Sequence, residues 1–194
     1  WKGEWNEGRL NTSVALYRTD KDNNNQRVNA KPHPYWEPLN QSSRGLDAEI
    51  SGSLTDRWQV YAGYTFNRST NRNSVGNNVE SRLKGYNFSS HTPKHMFRLY
   101  TSYVLPVDDG KWTVGLGLKS SSKTANSYGS IKQGGYTIWN TNVQYRPSKN
   151  LQLGLAVNNL TDKRYYENQY NRAANSDNFY GEPRNAVFSL KWKM

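Results

Sequence analysis

The chain has 194 residues, 34% of them hydrophobic, with no cysteine and a formal net charge of +11. No stretch approaches the ~20 apolar residues of a membrane helix, and the lack of cysteine excludes disulfides and thiolate metal sites. Aromatics reach 13%, which argues against disorder, while the mean hydropathy of −1.00 is low for a packed soluble core.

Taken in order, Trp1-Lys-Gly-Glu-Trp5 reads as the tail of a strand begun upstream rather than as an export signal. Asn6-Glu7-Gly8 is a tight turn. From Arg9 a strand rises, with Leu10, Thr12, Val14 and Leu16 on one face. Residues 20–41 read as a long polar loop carrying three asparagines and Pro32-His33-Pro34-Tyr35-Trp36. The next strand, 45–54, sets Leu46, Ala48 and Ile50 against Asp47, Glu49 and Ser51. A short turn at 55–57 leads to Trp58, Val60, Ala62, Tyr64 and Phe66, which alternate with polar or small residues.

Residues 68–94 form a second long loop. Phe97, Leu99, Thr101, Tyr103 and Leu105 then face Arg98, Tyr100 and Ser102. After the turn at 106–110, Trp112, Val114, Leu116 and Leu118 oppose Gly115, Gly117 and Lys119. A third loop covers 120–135. Thr137, Trp139, Thr141, Val143 and Tyr145 alternate with Asn140, Asn142, Gln144 and Arg146. The turn at 147–150 leads to Leu151, Leu153, Leu155 and Val157, and a fourth loop spans about 159–182. The last stretch places Ala186, Phe188, Leu190, Trp192 and Met194 opposite Val187, Ser189, Lys191 and Lys193. Alternate side chains of a strand point to opposite faces, so each segment has one apolar and one wet side.

Short and long connections alternate along the whole chain. Transmembrane barrels have short periplasmic turns and long extracellular loops, with the apolar face toward lipid and the polar face toward a lumen. Trp5, Trp58, Tyr103, Trp112, Tyr145 and Trp192 cluster near the short turns, where an interfacial girdle stands. Phe66, Phe97 and Trp139 belong nearer the opposite rim. The fold class is therefore all-β: an antiparallel transmembrane β-barrel of which this chain supplies about nine strands. Single-chain bacterial barrels have even strand numbers, so the expectation is a C-terminal portion of a larger barrel. The alternative is a small eight-stranded barrel with residues 1–5 as an extension.

Four strings add a resemblance. Val157-Asn-Asn-Leu-Thr-Asp-Lys-Arg-Tyr-Tyr166 resembles the penultimate-strand signature of TonB-dependent outer-membrane receptors. Gly181-Glu-Pro-Arg-Asn185 with the alternating terminus is similar to their closing segment. Ser43 to Ile50 followed by Trp58 to Asn67 resembles their preceding hairpin. His91-Thr-Pro-Lys-His-Met-Phe-Arg-Leu-Tyr-Thr-Ser-Tyr-Val-Leu-Pro106 is similar to the ferric-siderophore subgroup, including the coprogen/rhodotorulic acid and pyoverdine receptors. The family ends on Phe where this chain has Met194. The resemblance implies a 22-stranded barrel with a plugged lumen, residues 1–194 forming its C-terminal part without the plug. It implies a transporter that takes up a ferric siderophore, expected to be of hydroxamate type. The TonB energy complex would act through an N-terminal plug and box. No resident cofactor is expected; the iron chelate is cargo.

Candidate ligand contacts are the loop aromatics Tyr35, Trp36, Tyr86, Phe88, Tyr128, Tyr170, Phe179 and Tyr180, which can stack on a chelate or shield its iron. The competing reading is loop–loop packing. Tyr165 and Tyr166, inside the signature, are expected to be structural. Asp47, Glu49, Arg98, Lys119 and Arg146 fall on the lumen face and are candidates for plug or pathway contacts, or plain solvated charges. His91 and His95 straddle Pro93 without a third ligand, and His33 has no partner, so no metal site is expected. No nucleophile elbow is present, and Asp108-Asp109 sits in a short turn, so an outer-membrane enzyme is not expected. A passive porin is the nearer rival. The dispersed cations make outer-membrane lipid and lipopolysaccharide expected partners, and nucleic acid not.

Overall fold

A computed structural model describes residues 1–29, 32–76, 82–126, 131–169 and 178–193. Thirteen strands are present among them: β1 (Lys2–Trp5), β2 (Leu10–Val28), β3 (Tyr35–Thr55), β4 (Trp58–Asn71), β5 (His95–Val104), β6 (Trp112–Ser121), β7 (Thr124–Ala125), β8 (Lys132–Gln133), β9 (Tyr136–Tyr145), β10 (Leu151–Asn158), β11 (Tyr166–Gln169), β12 (Asn178–Tyr180) and β13 (Asn185–Trp192). Nine of them form one sheet in the order β1-β2-β3-β4-β5-β6-β9-β10-β13. Every neighbouring pair of strands in that sheet is antiparallel. Two small hairpins, β7–β8 and β11–β12, project from the long connections.

The register confirms the two faces. Ile50 lies opposite Ala62, Ala62 opposite Leu99, Leu99 opposite Leu118, and Leu118 opposite Trp139. Further along, Leu155 is flanked by Val143 and Phe188. On the other face Glu49 lies opposite Gly63, Gly63 opposite Arg98, and Arg98 opposite Lys119. A slip of one residue would exchange the faces, and no such slip separates these strands over their apolar rows. The apolar face stands open: Leu16, Leu155, Phe188 and Leu190 are exposed, Leu16 by 78%. Among the described residues no second layer covers it, so lipid is its natural solvent.

Several polar atoms on that face are satisfied within the sheet. Thr101 Oγ1 donates to Gln59 O (2.9 Å) and Thr141 Oγ1 to Gly115 O (3.0 Å). The indoles of Trp5 and Trp58 donate to the hydroxyls of Thr12 (2.8 Å) and Thr101 (2.7 Å). In hydrocarbon an unsatisfied group costs several kcal/mol, which explains why threonine is tolerated there. At the short-turn end the girdle is assembled in pairs. Trp58 meets Tyr103 edge-on with centroids 6.5 Å apart, and Trp112 stacks on Tyr145 at 4.3 Å.

One expected loop is largely strand. β2 and β3 continue together to the pair Val28–Tyr35, so residues 20–28 and 35–41 form a hairpin projecting past the membrane. Both its faces are wet, and the apolar alternation that marks a strand in lipid fades. The asparagines that suggested a loop instead bridge strands: Asn24 Nδ2 donates to Gln41 Oε1 (3.3 Å), and Gln41 Nε2 to Asn71 Oδ1 (3.2 Å). Asn23, with φ of 57°, sits where the register shifts. Pro38 is accommodated because β4 ends at Asn71, opposite Gln41, leaving β3 paired on one side only beyond it. Val28, Leu39 and Val75 form a small buried cluster that ties the 72–76 segment to this hairpin.

Candidate functional site: the cell-surface mouth of the lumen

Two clefts open side by side at the long-loop end of the polar face. One, about 240 Å³, is lined by His91, Met96, Arg98, Tyr136, Tyr166 and Gln169 among others. The other, about 410 Å³, includes Ile138, Asn140, Asn158, Asn159, Tyr165 and Glu182. Lys119 and Glu167 border both, with Nζ and Oε1 3.8 Å apart. The stacked rings of Tyr136 and Tyr165, 4.6 Å between centroids, flank them. β5, β6 and β9 supply the floor by parity, and the segment after β10 supplies the roof.

That roof is built by the two signature strings acting as one unit. Asn159 is buried and adopts φ of 49°, a conformation asparagine tolerates better than most residues. Its Nδ2 donates to the carbonyls of Lys163 and Glu182, both at 2.9 Å, and its Oδ1 accepts from Lys163 N (2.8 Å). Its own N–H donates to Asn140 Oδ1 on β9 (2.9 Å). Asp162 Oδ1 accepts from Arg184 N (3.0 Å). Gly181 N donates to Tyr165 O (2.9 Å), and a Cβ on Gly181 would lie 1.9 Å from the Tyr165 ring. The glycine is required by close approach, and the bond pattern clamps the departure of the fourth long connection to its return. Burial, followed by the charge of Glu167, raises the Tyr165 phenol above its ordinary range.

The sequence-derived candidates separate into groups. Arg98 and Lys119 face each other in register and border the first cleft. Glu49 shares their row across Gly63 and accepts from Tyr61 OH at 3.3 Å, while Asp47 lies one row further toward the cell surface. Arg146 is not on the strand: β9 ends at Tyr145, and Arg146 N donates to Lys111 O (2.9 Å) at the short-turn end. It is therefore remote from the mouth.

Among the aromatics, Tyr35 and Trp36 stand on β3 opposite Val28 and Arg27 instead of in a loop. They remain 43% and 65% exposed, and the charge of Glu37 raises the Tyr35 phenol. Tyr86 and Phe88 are half-buried. Phe179 and Tyr180 are exposed on β12, with Tyr180 stacked on Tyr166 at 4.6 Å. Tyr128 and Tyr170 lie outside the described residues. His95 Nδ1 is 2.8 Å from Tyr64 OH on the apolar face, away from His91. The sequence reading missed Glu167, Tyr136 and Gln133, whose Nε2 donates to Tyr166 O (3.1 Å). Tyr136 and Gln133 sit at the rim just before β9 settles into alternation. Glu167 lies on the short strand β11, at the register irregularity between Tyr166 and Asn168 and beyond the membrane, where parity carries no information.

An apolar outer face, an aromatic girdle at the short turns and a charged, aromatic lumen mouth define a section of a transmembrane barrel wall with a wet interior. The chain belongs to the TonB-dependent receptor family: the model of the TonB-dependent receptor-like β-barrel matches residues 1–160. It is 33% identical over 201 residues to the ferric-pyoverdine M114 receptor PbuA of Pseudomonas sp. (strain M114), covering 98% of this chain and 23% of that protein. The pyoverdine outer-membrane receptor FpvA of Pseudomonas aeruginosa PAO1, solved bound to pyoverdine, superposes with a TM-score of 0.79 at 28% identity. That match covers 100% of this chain and 28% of FpvA. The ferric-catecholate import receptor Fiu from Escherichia coli K12 in its closed form also superposes with a TM-score of 0.79, at 26% identity, covering 98% and 26% of the two chains. The chain thus spans about a quarter of the length of the relatives it matches.

Proposed function

We propose that this chain forms the C-terminal wall of an outer-membrane receptor that takes up a ferric siderophore at the expense of the TonB energy complex. The observation that carries the proposal is the lumen mouth. Arg98 and Lys119 stand side by side beneath stacked tyrosines, with Glu167 available as a counter-charge. Iron chelates carry planar, polarisable and charged groups, which such a lining can hold by stacking and charge-assisted hydrogen bonds. The polar clefts lie where a ligand arriving from outside first meets the wall. Tyr35, Trp36, Phe179 and Tyr180, exposed on the projecting strands β3 and β12, are the further candidate contacts.

The relatives are named for pyoverdine and catecholate chelates, and they give no support to the expected hydroxamate type. The substrate class proposed is therefore a ferric siderophore, its chemistry to be read from a binding panel. Energy coupling would run through a plug and box of the kind the family implies. The wall contributes by presenting Glu49, Arg98 and Lys119 to that plug or to the passing ligand.

The test is made on the complete receptor in intact cells. Saturable binding of a ferric chelate, with uptake abolished when the energy complex is deleted, is the expected result. Unsaturable, energy-independent diffusion of small solutes would make the protein a porin and overturn the proposal. Lys119→Ala should weaken chelate binding without lowering barrel yield.

A further inference from the structure

One row of the lipid-facing side breaks its apolar pattern. Immediately above Leu16, Leu46 and Phe66, which lie opposite one another, the register aligns Arg18 with Arg44 and Arg44 with Arg68. All three are exposed, and by parity all three point the same way as the apolar rows. Arg18 Nε reaches Asp20 Oδ2 at 3.0 Å, but Asp20 also lies 4.0 Å from Arg72. Among the described residues, Arg44 and Arg68 form no ion pair or side-chain hydrogen bond. Like charges directly opposite on neighbouring strands destabilise a sheet. Three in a row form a repulsive arrangement that an external anion would relieve.

The height of the row identifies the anion. Arg68 is ten residues along β4 from the girdle residue Trp58, roughly 33 Å along the strand. At a strand tilt of ~40° that is about 25 Å, the full height of a barrel's apolar band. The guanidinium groups therefore meet the outer headgroup layer. Guanidinium forks match phosphate oxygens two at a time. Beneath the Leu16–Leu46–Phe66 row lies an apolar groove of about 570 Å³, floored by Ala48 and Ala62 between Val14, Ile50, Tyr64 and Phe97 and reaching down to Trp5. The two alanines leave a trough on the lipid face, and a hydrocarbon chain fits it.

We propose that Arg18, Arg44 and Arg68 bind the phosphate of an outer-leaflet glycolipid, with one of its acyl chains lying in the groove beneath. The ligand is a lipid phosphate, not free phosphate, because the charge row caps the apolar face, one residue row above a groove that an acyl chain can enter. The inference rests on the membrane-spanning reading of the sheet and not on the identity of the transported chelate.

The complete receptor, placed in phosphatidylcholine nanodiscs, is titrated with bis-phosphorylated lipid A, and retained lipid is counted by native mass spectrometry. Wild type should retain lipid A, and the triple variant Arg18→Gln/Arg44→Gln/Arg68→Gln should bind it about tenfold more weakly or worse. The corresponding triple Lys variant, which keeps the charge but not the fork, should bind between the two, and Ala62→Trp should weaken binding by filling the groove. Dephosphorylated lipid A on the unmodified receptor should bind as poorly as the Gln variant binds the phosphorylated form, a comparison that needs no mutant to fold. Equal binding of both lipids, or an unaffected triple Gln variant, would overturn the site. Displacement of lipid A by millimolar inorganic phosphate, or indifference to Ala62→Trp, would overturn its assignment to lipid. A receptor that binds lipid A but no ferric chelate would sink the transport reading and leave this one standing.

Discussion

Replacing Leu116 by arginine tests the lipid face at its most sensitive depth. Leu116 lies on β6 between Thr101 and Thr141, 37% exposed on the apolar side. It stands four residues beyond Trp112, roughly 13 Å along the strand and ~10 Å in height after tilt, near the middle of the ~25 Å apolar band. A guanidinium at that depth costs ~2–4 kcal/mol, or roughly a 30- to 900-fold loss in the folding equilibrium. Neither thermodynamic rescue by water nor a short snorkel to the headgroups is at hand. Ser102→Arg is the control at similar depth on the other face, where the side chain points into the wet lumen. It should cost about 1 kcal/mol or less. Urea unfolding of the complete barrel in lipid vesicles, followed by tryptophan fluorescence and heat-modifiable gel mobility, measures both. Equal costs on the two faces, or a larger one for Ser102→Arg, would refute the assignment.

Other consequences are equally direct. Asn159→Ala strips partners from Lys163 N–H and from the carbonyls of Lys163 and Glu182; it should cost about 2–4 kcal/mol and speed protease cleavage within residues 159–184. Gly181→Ala must expel the Tyr165 ring from its stack on Tyr136, costing about 1–3 kcal/mol, and its cost should shrink in a Tyr165→Ala background. In the turn between β5 and β6, a hydrogen bond from Lys111 holds the Asp108 carboxyl below its ordinary range. That stabilisation is present above the unfolded pKa and is lost as pH falls through the lowered one. Thermal unfolding between pH 6 and pH 3 should therefore drop further for wild type than for Asp108→Asn.

What the sequence could reveal followed from physics that acts residue by residue. Lipid on one side and water on the other impose a period of two, so the strands carrying Leu116, Leu155 and Phe188 were legible, as were the girdle and the lumen row Glu49–Arg98–Lys119. Where a strand leaves the membrane, both faces meet water and the period disappears. The β2–β3 extension was therefore read as a loop, and Tyr35 and Trp36 were assigned to it. The signature strings around Asn159 and Gly181 were recognised separately. Their joint role depends on hydrogen bonds between segments 23 residues apart, which no local pattern encodes. Glu167 belongs to the lumen mouth only because that clamp folds its segment over Lys119. Likewise, the arginine row is invisible until register places positions 18, 44 and 68 side by side.

The central claim is that successive side chains of each strand meet hydrocarbon and water by turns. This chain has no cysteine, so a single cysteine introduced into it, in a receptor freed of any other, is the one site that takes a spin label. Labels placed one at a time along β6 and β10 of the complete receptor in vesicles, with oxygen and a nickel chelate as competing relaxants, measure the solvent at each position. Positions 114, 116, 118, 153 and 155 should favour oxygen, and 113, 115, 117, 152 and 154 the nickel chelate or neither. A profile without that period of two, or with the phases reversed, would contradict the account.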